Sequence, residues 1–306
     1  MAQKNCNLVW ENSSKEIATQ KDKLGGSSNA DLIKNILSKT HDLEDEIIVI
    51  KIPASIITDD ESLHNAANNI SALTLSGASV IVVHDYTDMI KETLDLFGIE
   101  QKTLNASMIT DNKTAQIIEM VLSGHINRKI VSALCAAGCN AIGISGKDGN
   151  MIEAEKHPLK NKNSAGLFDF AFIGAPSIIN PEVLLNLTDN GFLPVVTPVA
   201  FDSKGATYLL DTNLTVSIVS SVVAAHNLIL LEDDLEMKNL GDISLSHFQT
   251  ALLNDLENPS AKNFIDVITT SLSNNTAFVH LVKASDPDAI LNSIFNEEYG
   301  TKISLD

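Results

Sequence analysis

One arginine, Arg128, stands in a chain of 306 residues. Sites that grip carboxylates or phosphates favour arginine's planar two-pronged fork, so at most one site here can use it. The other basic residues are lysines, and the net charge is −18. Such a surface repels nucleic acid and anionic membranes, and neither is expected as a partner. Cysteine is scarce too: Cys6, Cys135 and Cys139 are too few for a disulfide framework. Cys135 and Cys139, one helical turn apart, read as reduced thiols packed as small apolar residues. The eight histidines are scattered singly, so no metal site is expected. No apolar run reaches the roughly 18 residues needed to span a bilayer. The opening MAQKNCNLVWENSSKE has no apolar stretch of signal-peptide length, which points to a soluble, cytoplasmic protein.

What is present is ordinary globular material, with 44% hydrophobic and 20% charged residues. The length suits one large or two ordinary domains. The polar start ends in Leu24-Gly-Gly-Ser-Ser28, a linker composition. A helical spacing follows, capped by Asn29 or Asp31. Beyond it, strand-like runs at Ile47–Ile52, Ser79–His84, Ala141–Ser145, Asp169–Ile173, Leu193–Val199, Asn227–Leu231 and Ala277–Val282 alternate with helical patterns. The patterns fall at about 60–75, 88–97, 113–137, 181–190, 213–225, 244–256, 261–273 and 286–296. Strands apolar along their whole length are covered on both faces. Their alternation with helices predicts an α/β protein with a mainly parallel sheet, ligands binding at the carboxyl ends of the strands.

Those ends carry the candidate chemistry. The first strand closes on Lys51, suited to neutralising a phosphate, although a lysine there can also snorkel to solvent. The second closes into Asp85-Tyr86-Thr87-Asp88, where two carboxylates and a ring oppose an anion and Thr87 or Asp88 reads as an N-cap. Ser145-Gly-Lys-Asp-Gly-Asn150 lacks the spacing of a phosphate loop and reads as a tight turn. Glu232-Asp233-Asp234 reads as a solvated charge run more readily than as a magnesium site.

Several blocks, in order, resemble acetylglutamate kinase of the amino-acid kinase superfamily. They are IIVIK, GASVIVVH, ITDNKTAQIIEMVLSGHINRKIVSAL, AIGISGKDGN, FIGAPSIINPEVL, NGFLPVVTPV, LILLED and ILNSIFNEEYGTKI. The resemblance implies a three-layer α/β/α sandwich on an open eight-stranded sheet, with ATP and Mg2+ phosphorylating the side-chain carboxylate of N-acetylglutamate. It also implies a homodimer, or a hexamer through the N-terminal extension. The lobes divide as 1–44 (extension and helix), 45–225 (amino-acid side and dimerisation) and 226–306 (nucleotide side).

Carried over residue by residue, the resemblance keeps Lys51 and loses much around it. The glycine pair after it becomes Pro53 and Ala54, and proline also removes a backbone donor. The triple glycine of the second loop becomes Asp85, Tyr86 and Thr87, and the substrate-clamping arginine becomes Met108. The substrate asparagine falls on Leu209, the second asparagine on Asp211 and the organising aspartate on Asn213. On the nucleotide side lie Glu232 and Asp233, while the second transition-state lysine becomes Phe264 with Lys262 two residues away. Each lost charged hydrogen bond costs roughly 1.5–3 kcal/mol, and one lost transition-state donor roughly 10²–10³ in rate. Together these changes predict a loss on the order of 10⁴-fold or more. Two readings follow: a diverged kinase, weak or acting on another acyl substrate, or a non-catalytic regulatory or structural relative.

Overall fold

The computed structural model describes residues 37–99, 102–104, 107–109, 112–156, 173–233, 240–253 and 259–306. Two units separate, Met1–Leu43 and Glu44–Asp306. In the first, residues 37–42 are helical, and the capping residues Asn29 and Asp31 lie outside the described residues.

The second unit is built on an eight-stranded sheet. Its strands are β1 (Ile47–Ile52), β2 (Ser79–His84), β5 (Ala141–Ser145), β8 (Leu193–Thr197), β11 (Asn227–Glu232), β12 (Gly241–Ser244), β13 (Phe278–Lys283) and β14 (Thr301–Ser304). Across the sheet they run β12-β14-β13-β11-β1-β2-β8-β5. Every adjacent pair is parallel except β13 and β14. In β1, IIVIKI is buried from Ile48 onward, as an apolar strand covered on both faces must be. One covering layer holds α2 (Asp60–Leu75) against α5 (Asn127–Ala136) and α10 (Ala289–Phe295). The other holds α7 (Thr212–Val222) against α9 (Pro259–Ser273), with α6 (Glu182–Asp189) on β2 and β8. The result is the expected α/β/α sandwich. The sheet runs unbroken across residues 225 and 226, since β11 pairs with β1 on one side and β13 on the other.

Beside the sheet lie a short hairpin, β3 (Lys102–Leu104) with β4 (Ser107–Ile109), and a small barrel. The barrel consists of β6 (Ile152–Lys156), β7 (Ile173–Ile179), β9 (Val199–Phe201) and β10 (Thr207–Leu210). Here the structure departs from the sequence expectations in detail. The run Leu193–Val199 divides at Pro198, which cannot donate to a ladder, and β9 begins a new sheet at Val199. Only Ile173 of the strand expected at Asp169–Ile173 is described, and from it β7 continues through Pro176 to Ile179. A register shift at Glu153/Ala154 in the facing strand accommodates that proline. The single helix expected at 113–137 is three segments: α4 (Asn112–Glu119), a π-helical stretch Met120–Ile126 containing Gly124, and α5. No helix among the described residues is long and apolar enough to cross a membrane.

Candidate active site

The parallel order β11-β1-β2 brings three strand ends together. Lys51 stands opposite Leu230 on one side and Val83 on the other, so Glu232 and Asp85, two residues further along each neighbour, flank it. The Lys51 ammonium donates to Glu232 Oε1 at 2.8 Å and lies 3.9 Å from Asp85 Oδ2. Only 4% of the lysine side chain is exposed, so it does not snorkel to solvent. Glu232 is itself largely buried, and burial raises its pKa against the opposing pull of Lys51. The charge run expected at 232–234 is therefore corrected in its first member: Glu232 is an internal counterion. Asp233 accepts from the Ser55 hydroxyl, linking β11 to the short helix α1 (Ala54–Thr58). Asp234 lies outside the described residues. Pro53 is the N-cap of α1 and is buried, with Ala54 behind it.

The second loop is held on all sides. Asp85 Oδ1 accepts from the Tyr86 backbone N–H at 2.8 Å and from the Thr212 hydroxyl at 3.0 Å. The Tyr86 hydroxyl donates to the Leu210 carbonyl, so the ring crosses from β2 to the end of β10. Burial, then the carboxylates of Asp85 and Asp211, push the phenol's pKa far up, and it stays protonated. Neither Thr87 nor Asp88 caps the helix that follows, α3 (Met89–Leu96). Asp88 occupies the cap position with helical torsions and makes no side-chain bond there, while the buried Thr87 Oγ1 has no hydrogen-bond partner. That corrects the expectation of an ordinary N-cap; the Asp85 side chain, which would otherwise reach the loop, is held by Tyr86 and Thr212.

Next to this loop, Leu209 is a buried strand residue paired with Val199, and Asp211 caps α7 by accepting from Leu214 N–H at 2.8 Å. Asn213 is half-buried in the first turn of α7. Lys51, Asp85, Tyr86, Leu209, Asp211 and Glu232 thus converge, with Thr87 on the same loop. Met108 does not join them through the sheet. It lies on β4 opposite Thr103, in the separate hairpin. Phe264 packs on the core from α9, and the Lys262 side chain lies outside the described residues.

Three partners escaped the sequence reading. Thr212 fixes Asp85, and Ser55 fixes Asp233. His84, wholly buried, donates from Nδ1 to the Asp85 carbonyl at 3.1 Å and accepts at Nε2 from Thr197, tying β2 to β8. Burial lowers its pKa to about 4, so it is neutral. A polar residue closing the apolar run VIVVH was the available signal. The turn read at Ser145–Asn150 is present, with Gly149 and Asn150 at positive φ and Asp148 accepting from the Ser145 N–H and hydroxyl. Its Lys147 pairs with Glu119 at 2.7 Å, away from Lys51's partners.

Comparison with known proteins follows the same lines. The model of the amino acid kinase family matches residues 46–234. Acetylglutamate kinase of Archaeoglobus fulgidus is 31% identical over 280 residues, 88% of this chain and 97% of that one. Acetylglutamate kinase of Campylobacter hominis is 30% identical, over 89% of this chain and 95% of its own. Among solved structures, N-acetylglutamate synthase from Neisseria gonorrhoeae, complexed with coenzyme A and N-acetyl-glutamate, superposes with a TM-score of 0.75 at 16% identity. The match covers 92% of this chain, which spans 64% of that longer one. Carbamate kinase from Giardia lamblia bound to AMP-PNP superposes at 0.62 and 15% identity, over 86% of this chain and 99% of that one. At those identities the likeness establishes the fold.

Proposed function

We propose a function from one premise: the chain belongs to the amino acid kinase family, beside the acetylglutamate kinases. It is a member in which phosphoryl transfer from ATP to the side-chain carboxylate of N-acetyl-L-glutamate is strongly reduced or lost. One observation carries this reading. The strand-end ammonium that would neutralise a transferring phosphoryl group is already neutralised, by Glu232 at 2.8 Å with Asp85 at 3.9 Å. Phosphoryl transfer depends almost wholly on positioning and on such charge neutralisation.

The described residues do not fit the phosphates of a nucleotide. Asp85, Glu232 and Asp233 ring the strand ends with negative charge, and the Tyr86 ring spans to Leu210 where a glycine loop would leave backbone donors open. Lys262 on α9 is the cation left as a second candidate on the nucleotide side. The protein acts in this reading as a homodimer, with the extension 1–44 as the route to a hexamer, and serves as a regulatory or structural subunit.

Calorimetry tests it: MgATP at millimolar concentration should give no binding heat, and micromolar affinity would sink the reading. A kinase acting on another acyl amino acid is the competing outcome. It requires ADP release over a panel of acylated amino acids, abolished by Lys51→Ala.

A further inference from the structure

Two carboxylates meet one ammonium where β11, β1 and β2 end, and the two are not held alike. Asp85 takes two donors on Oδ1, the Tyr86 N–H at 2.8 Å and the Thr212 hydroxyl at 3.0 Å, and its side chain is 31% exposed. Glu232 takes one donor among the described residues, Lys51 itself, and is 14% exposed. Water and hydrogen bonds favour the charged form of a carboxylate, and burial disfavours it. The more weakly held charge of the cluster is therefore the one on Glu232. Burial accordingly raises its pKa, against the pull of Lys51.

Protonation of Glu232 changes what Lys51 meets. The ammonium keeps only a neutral oxygen at 2.8 Å, while Asp85, fixed by Tyr86 and Thr212, stands off at 3.9 Å. The other charged or titratable groups nearby do not take the place of Glu232. Asp233, next along the chain, is exposed and accepts from Ser55. Lys283, opposite Glu232 on β13, is exposed, and His84 beside Asp85 is buried and neutral. Ser55 and Asp233 open the rim of the cluster to solvent. A buried cation that loses its counterion draws in an anion that can reach it.

We propose that Glu232 is a proton-operated gate: ionised, it occupies the Lys51 ammonium, and protonated, it yields that ammonium to one small tetrahedral oxyanion, phosphate or sulfate. This gate presupposes the blocked site of the functional reading above and adds the condition under which the block lifts. One proton enters the Glu232 carboxylate for each dianion bound. Sulfate is the probe, because it stays a dianion between pH 7.5 and pH 5.5. It is titrated into the full chain by calorimetry, in buffers of different ionisation enthalpy so that proton uptake is read directly. The natural chain should bind sulfate roughly tenfold tighter for each unit by which pH is lowered, the linkage of one proton. Glu232→Gln should bind it at both pH values and take up about one proton fewer per sulfate. Lys51→Met/Glu232→Leu, which strands no charge, should lose the binding at both. Equal proton uptake by the natural chain and Glu232→Gln overturns the gate. So does a natural chain that binds no sulfate at pH 5.5, a Glu232→Gln chain that binds none at all, or binding that survives in Lys51→Met/Glu232→Leu. None of these outcomes touches the underlying functional reading, which falls instead to MgATP binding by the natural chain at neutral pH.

Discussion

The Lys51 ammonium and the Glu232 carboxylate, 181 residues apart in sequence, meet at 2.8 Å at the ends of adjacent parallel strands. Both are largely buried, so each depends on the other far more than an exposed pair does. Removing one partner leaves an uncompensated buried charge. Lys51→Met, which strands the largely buried Glu232 carboxylate, is expected to destabilise the fold by about 3 kcal/mol. Replacing both residues together, Lys51→Met with Glu232→Leu, should cost less than the sum of the single changes. Urea midpoints of the four proteins give the coupling; strict additivity would show that the pair does not act as a unit.

A pH dependence follows from two buried histidines. Burial lowers His84 from 6.5 to about 4, and burial, aided by Lys302 and His226, lowers His280 to about 3. Each is neutral in the fold and takes up a proton readily only when the chain unfolds. Their contribution to stability is therefore complete above pH 6.5 and is lost as pH falls toward 4 and 3 respectively. For His84 alone the span corresponds to about 3 kcal/mol. Glu232 acts with the opposite sign, because its raised pKa makes the ionised form a cost at neutral pH that acid relieves. Two histidines against one carboxylate predict a net fall in the urea midpoint between pH 7 and pH 4.5, and a shallower fall in His84→Gln. A flat profile would contradict it.

The single arginine braces the side chain next to it, over Gly143. Arg128 donates to Asn127 Oδ1 at 2.6 Å, and the fully buried Asn127 donates to the Val195 carbonyl at 2.8 Å. Both side chains lie over Gly143, where an added Cβ would stand 1.8 Å from Arg128 Nη2 and from Asn127 Oδ1. Gly143→Ala should cost about 1–3 kcal/mol by overpacking. Arg128→Ala should recover only part of that loss, since Asn127 still blocks the site. Thermal or urea midpoints of the single and double variants check both statements.

How much of this was legible can be seen residue by residue. The strands were, because an apolar run such as IIVIKI has no partner at either face except helices. Lys51, Asp85 and Glu232 were visible singly, as polar residues closing apolar strands. Their pairing was not, because it depends on the lateral order β11-β1-β2, which no local pattern encodes. The same holds for Thr212 on Asp85, 127 residues apart. Glu232 reads as solvated because three acids in a row resemble a surface, whereas the first lies inside the sheet and the second just beyond its end.

The carboxylates around Lys51 supply the last prediction, which separates a blocked site from a dismantled one. If Glu232 and Asp85 alone neutralise the ammonium, then removing both charges leaves a buried cation beside the strand ends with no counterion. Such a cation either loses its proton or recruits an anion from solution. Asp85→Asn/Glu232→Gln keeps the shapes, and each amide can still serve as a hydrogen-bond partner at Thr212 and at Lys51. This double variant is expected to bind pyrophosphate at millimolar concentration where the natural chain binds none, with the gain abolished by adding Lys51→Met. Dependence on Lys51 is the decisive readout, because a general rise in anion affinity from two lost negative charges would survive that third change. Should the double variant remain inert, the block lies instead with Tyr86, whose ring and bond to Leu210 would still span the loop.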